Sequence, residues 1–116
     1  MTRRMTPIGM IVAAVVATVI LIPGLEANAA DARRIVVEIR GFQFIPEAPV
    51  VDTGDVVVWK NMDLVPHTVT SNDDSWESGL IAAGAEWETV ISVGMIQDYH
   101  CRYHSSMTGQ LTIGAQ

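Results

Sequence analysis

From residue 34 onward the apolar side chains fall in short runs rich in β-branched residues, separated by Gly, Pro, Asp and Asn, and no segment sustains helical periodicity. Arg34 to Ile39 alternates as a first strand, and Phe42 and Phe44 extend that period of two beyond Gly41, which places both in the core. Pro46 and Pro49 bracket a connection into Val50-Val51. Asp52-Thr53-Gly54-Asp55 is a turn signal, because glycine supplies the positive φ such a turn requires. It feeds Val56 to Asn61, a run apolar enough for a strand buried on both faces, with Val57 and Trp59 as core. His67 to Thr70 forms a short strand entered through Pro66, and Ser71 to Ser75 is a polar loop. The segment from Gly79 to Gly84 reads as either loop or a single helical turn. Glu86 to Ile91 alternates well, and Met95 to Cys101 and Gln110 to Ile113 supply the last two strands. Strands of this length and spacing predict an all-β fold, a two-sheet Greek-key β-sandwich.

The amino-terminal pattern differs. Arg3 and Arg4 precede an uncharged apolar run from Ile8 to Ile22, then Pro23-Gly24 breaks it and Ala27-Asn28-Ala29 offers small residues at cleavage spacing. This arrangement predicts a cleaved signal peptide over residues 1–29 and one domain over 30–116, exported or periplasmic. The run is short against the roughly 20 residues of a spanning helix, so the mature form is expected to have no membrane span, an uncleaved anchor being the alternative. Both the general secretory and the twin-arginine route fit the paired arginines.

The chain of 116 residues carries a formal net charge of −6. Loss of Arg3, Arg4 and Glu26 with the leader turns seven basic and thirteen acidic residues into five and twelve, about −7. Phosphate backbones repel such a surface, which argues against nucleic acid as a partner; the charge either draws the domain to basic protein surfaces or serves only to keep it soluble. The acidic residues Asp73, Asp74 and Glu77 sit together in one loop, either as solvated surface or as a docking patch.

Only one cysteine is present. An exported chain with a single thiol has no internal disulfide, and a bound metal would protect that thiol from oxidation. Cys101, His104 and Met107 follow one another at three-residue intervals, and a soft thiolate, an imidazole and a thioether together suit a copper ion cycling between Cu(I) and Cu(II). His67, at the start of another strand, is the candidate fourth ligand. The backbone after Cys101 must leave its strand and curl so that His104 and Met107 face one centre, with Gly109 permitting the turn into the closing strand. Strand alternation puts Tyr99 and Cys101 on one face and His100 on the other, so His100 is not a ligand.

The ordered set Phe42-x-Phe44-x-Pro46, Gly54-Asp55-x-Val57-x-Trp59-x-Asn61, His67-Thr68-Val69 and Tyr99-His100-Cys101-x-x-His104-x-x-Met107-x-Gly109 resembles the cupredoxins, the small blue copper proteins. Its short ligand loop is most like the amicyanin branch of the plastocyanin and azurin relatives. The resemblance implies one copper ion with His67, Cys101 and His104 in a trigonal plane and Met107 as weak axial ligand. It implies a monomeric one-electron carrier, not an enzyme, that docks transiently with redox proteins. Thr68 stands where Asn is frequent among these relatives, Gln97 where a Tyr is common, and Tyr103 and Ser105 where the short loop usually has prolines. A zinc site would replace the thioether with Cys, His or carboxylate. A Cys/His nucleophile would need an oxyanion hole and an orienting third group, which nothing in the sequence marks. The main alternative is a periplasmic copper carrier or chaperone delivering the ion to a cuproenzyme.

Overall fold

The computed structural model describes Thr2, Gly9 and residues 11–20 and 32–114. The expected leader and its cleavage region fall mostly outside these residues. Its described part, 11–20, forms no regular element, and Ile11, Val12, Val15, Val16, Val19 and Ile20 are all exposed. No helix among the described residues is long and apolar enough to cross a membrane.

Among the described residues there are nine strands and no helix: β1 Arg34–Arg40, β2 Gln43–Ile45, β3 Val50–Val51, β4 Val56–Asn61, β5 Thr70–Ser71, β6 Glu86–Val90, β7 Asp98–Cys101, β8 His104–Gln110 and β9 Thr112–Ile113. One sheet has the order β2-β1-β4-β6, with β1 parallel to β4 and the other pairs antiparallel. The opposite layer is built from β5-β7-β8 and from β3 paired in parallel with β9. Only Leu111 separates β8 from β9, and its N–H donates to the Gln97 carbonyl at 2.9 Å, so the two run on as one bent strand. The chain crosses repeatedly between layers, which makes the predicted two-sheet sandwich with crossovers of the Greek-key kind.

The core lies between the layers. Val37 and Ile39 of β1, Phe44 of β2 and Val57 and Trp59 of β4 meet Val51, Tyr99, Cys101, Met107 and Leu111 of the other layer. The central position of β4, paired with β1 on one edge and β6 on the other, accompanies its uninterrupted apolar run: Val57, Val58 and Trp59 are all buried. Aromatic rings join the layers edge to face, Phe44 to Tyr99 at 4.9 Å and Trp59 to Tyr99 at 5.6 Å between centroids. Burial pushes the Tyr99 phenol up to about 12, so it stays neutral.

Asp55 anchors the turn before β4. Burial raises its carboxyl, but the N–H groups of Arg33 and Asp52 and the Arg33 guanidinium outweigh this and hold it below the usual carboxylate range.

Several expectations change. The chain does not continue past Gly41: Gly41 and Phe42 both take positive φ, 60° and 58°, and reverse it into an antiparallel hairpin in which Arg40 opposes Gln43. Phe42 therefore sits at the hairpin tip, half exposed, while Phe44 alone enters the core. The strand expected over His67 to Thr70 is confined to Thr70–Ser71, with His67 making an isolated bridge to Ile81 that resolves Gly79 to Gly84 as loop. The strand ending at Cys101 begins only at Asp98.

Gly109 is needed for a different reason from the one its sequence position suggests. It takes no positive φ; a Cβ there would run into the Tyr99 ring that lies opposite it in the β7–β8 ladder. Gly109→Ala is expected to destabilise the protein by about 1–3 kcal/mol, the cost of overpacking a close-packed core. Urea unfolding of the two proteins measures this, and equal midpoints would contradict it.

Candidate metal centre

The site forms where the loop after β4 meets the β7–β8 hairpin. Asn61, fully buried at the end of β4, organises the loop: its amide donates to the carbonyls of Val65 and Ile81 at 2.8 and 2.9 Å, and its Oδ1 accepts the Asp63 N–H at 3.0 Å. Pro66 then leads into His67, whose backbone exchanges two hydrogen bonds with Ile81. These bonds hold the His67 imidazole inside the protein with no exposure to solvent.

From the other side, Cys101 ends β7, buried on the same face as Tyr99, while His100 points away and pairs through Nδ1 with Asn72 at 2.7 Å. The expected curl after Cys101 takes a definite form. Arg102 and Tyr103 make a two-residue turn that pairs Cys101 with His104, yet His100 already pairs with Thr108, so Ser105 to Met107 bulge out of the ladder. The bulge belongs to β8 rather than to a free loop. It leaves His104 half-buried, and Met107 buried in the core cluster that also holds Cys101.

Both imidazoles present Nδ1 to the thiol, His67 at 3.7 Å and His104 at 3.6 Å from Cys101 Sγ. The three donor atoms all lie within 4.8 Å of one another. Thr68 joins the two halves of the site. Its N–H points at the sulfur at 3.4 Å, and its hydroxyl accepts the Arg102 N–H at 2.8 Å, so it ties the segment that carries His67 to the one that carries Cys101 despite not being Asn. Arg102 in turn pairs with Asp74 and Glu77 at 3.0 and 2.9 Å, so two members of the acidic loop hold the β7–β8 hairpin.

Two further residues at the site were not anticipated from the sequence. The Phe42 ring stands edge-on to both imidazoles, 5.2 Å from His67 and 4.9 Å from His104 between centroids. Asp63 faces His67 Nε2 at 2.8 Å. Burial raises the Asp63 carboxyl, but the N–H groups of Phe42 and Gly41 and the His67 imidazole together hold it below its ordinary value. An acidic residue four positions before a candidate histidine, across a proline, was the available signal for Asp63; nothing local marked Phe42.

Solved structures match this arrangement of strands. A methionine-to-alanine variant of amicyanin in its Cu(I) form superposes with a TM-score of 0.63 at 22% identity, over 74% of this chain and 89% of that one. A second amicyanin variant, also in its Cu(I) form, gives 0.64 at 24% identity over the same shares. A purple cupredoxin from Nitrosopumilus maritimus gives 0.64 at 22% identity, over 69% of this chain and 99% of that one. The fold is that of the cupredoxins. No protein-family model and no curated protein matches the chain. Within the cupredoxin fold the site occupies the end of the sandwich where β4, β7 and β8 deliver Asn61, Cys101 and His104.

The tie through Thr68 is testable apart from any metal. Thr68→Val keeps the shape and the N–H to sulfur but leaves the Arg102 N–H without its acceptor, at a cost of about 1 kcal/mol. Amide exchange at Arg102 in the metal-free protein is expected to quicken, and an unchanged exchange rate would contradict the tie.

Proposed function

We propose that this chain is an exported, mononuclear copper protein that carries single electrons between redox proteins, with His67, Cys101, His104 and Met107 as ligands. The observation that carries the reading is the convergence of a buried thiol and two Nδ1 atoms from segments 34 residues apart. A thiolate, two imidazoles and a thioether form a donor set suited to copper and poorly suited to structural zinc. Bound there, the ion supplies a one-electron Cu(I)/Cu(II) couple.

The protein's part is to hold that donor set still and dry. Cys101 and His67 are fully buried and Met107 nearly so, and the hydrogen bonds donated by Thr68 and Asn61 and accepted by Asp63 fix the segments that bear them. Rigid placement keeps the rearrangement between oxidation states small. His104 is the ligand most open to solvent and the port for electrons. Exposed apolar side chains stand on the segments around it: Tyr103 in the ligand turn, Phe42 at the hairpin tip, and Met62, Leu64 and Val65 on the His67 loop. They suit brief contact with a partner, and the acidic charge elsewhere favours basic ones. The protein acts as a monomer, transforms no substrate and binds no nucleic acid. Residues 1–29 direct export and are removed, leaving residues 30–116 in the periplasm or outside the cell.

Burial of the thiol and thioether disfavours the alternative of a carrier that hands its ion to other proteins. Copper titration followed by reduction with ascorbate and reoxidation with ferricyanide separates the two. One copper per chain, retained through repeated cycles in the presence of a Cu(I) chelator, is the expected result. Loss of the ion to the chelator on first reduction would favour delivery over electron transfer.

A further inference from the structure

One carboxylate links the buried histidine to the aromatic ring that covers the site. Asp63 Oδ1 accepts the Gly41 N–H at 2.7 Å, and Oδ2 accepts the Phe42 N–H at 3.0 Å while facing His67 Nε2 at 2.8 Å. The Asp63 side chain is only 13% exposed, so little water competes for these bonds. Consecutive N–H groups reach the same carboxylate because Gly41 and Phe42 both take left-handed φ, which curls the backbone into an anion-binding concavity. For glycine that conformation is free, whereas for phenylalanine it is disfavoured and persists only where surrounding contacts impose it. Here the contacts are the carboxylate on one side of the turn and the two imidazoles against the ring.

An ionised carboxylate only accepts hydrogen bonds. Facing Asp63, His67 must carry its proton on Nε2, which leaves the Nδ1 lone pair directed at Cys101 Sγ. The opposite tautomer would place a lone pair against the carboxylate and a proton where a metal would sit. We infer that Asp63 is a positioning residue that selects the Nε2–H tautomer of His67 and, through the Gly41–Phe42 turn, sets the Phe42 ring against both imidazoles. The donor set is thereby in place before an ion arrives. The consequence for copper affinity rests on the function proposed above; the tautomer and the ring position do not.

The test uses the metal-free protein and its copper complex side by side. Nitrogen-15 NMR of the imidazoles in metal-free wild type is expected to show His67 protonated at Nε2; a proton on Nδ1 overturns the inference without any variant. Asp63→Asn is nearly isosteric, and in either amide orientation its NH2 opposes at least one of the three N–H groups. It is expected to mix the His67 tautomers and to weaken Cu(II) binding, measured by ligand competition, by about 10- to 100-fold, as loss of an outer-shell partner does elsewhere. Phe42→Leu keeps both backbone bonds and is expected to leave the His67 tautomer unchanged while altering the His104 ring shifts. An Asp63→Asn protein with the wild-type tautomer and an affinity within about twofold of wild type overturns the positioning role. A wild type that binds no Cu(II) yet keeps the Nε2–H tautomer supports Asp63 as tautomer selector and overturns the copper reading alone.

Discussion

The need to satisfy polar groups buried at one end of a small sandwich governs the rest of this structure. Asn61, His67, Thr68, Thr70 and Ser71 are all buried at that end, and an unpaired group in such surroundings carries a penalty of about 1–3 kcal/mol. Each finds its partners in the arrangement the chain adopts. Asn61 spends its amide on Val65 and Ile81, Thr68 its hydroxyl on Arg102 and Thr70, and Ser71 its hydroxyl on the Asp73 loop and the Trp76 N–H. Satisfying them places the His67 loop against the β7–β8 hairpin, and the meeting of thiol and imidazoles follows from that placement.

The hydrophobic core and the site meet at Cys101 and Met107, which belong to both. The aromatic layer of Phe44, Trp59 and Tyr99 holds the sheets together, and Gly109 gives Tyr99 the space it needs. Above that layer the chain turns polar and specific. The β7–β8 hairpin is braced from outside by Arg102 on Asp74 and Glu77 and from inside by Thr68, so the bulge that carries Met107 departs from a fixed base. The acidic loop that the sequence left open between solvated surface and docking patch thus has a structural part to play.

How much could be read in advance followed the range of the interactions involved. Strand β4 was legible because burial on both faces leaves an unbroken apolar run, and β6 because half-burial leaves an alternating one. The spacing of Cys101, His104 and Met107 is visible because one hairpin carries all three, and His100 points away from Cys101 because alternation acts over adjacent residues. Phe42 was misplaced because period two assumes an extended backbone, and a phenylalanine at φ 58° breaks that assumption with no local warning. Asp63 went unnoticed because its three partners include two residues more than twenty positions away, at the tip of a hairpin whose existence was itself not foreseen. The strand boundaries around Met95 and Thr70 shifted because such short segments are ended by tertiary contacts rather than by their own composition.

The central claim is that Cys101 and the two imidazoles hold one copper ion through a direct bond to sulfur. The visible absorption spectrum of the protein loaded with Cu(II), set beside that of Cys101→Ser, tests it most directly. An intense thiolate-to-copper band in the wild type that vanishes in the variant is the predicted result; a colourless wild type, or a band that survives the loss of Cys101, would contradict it.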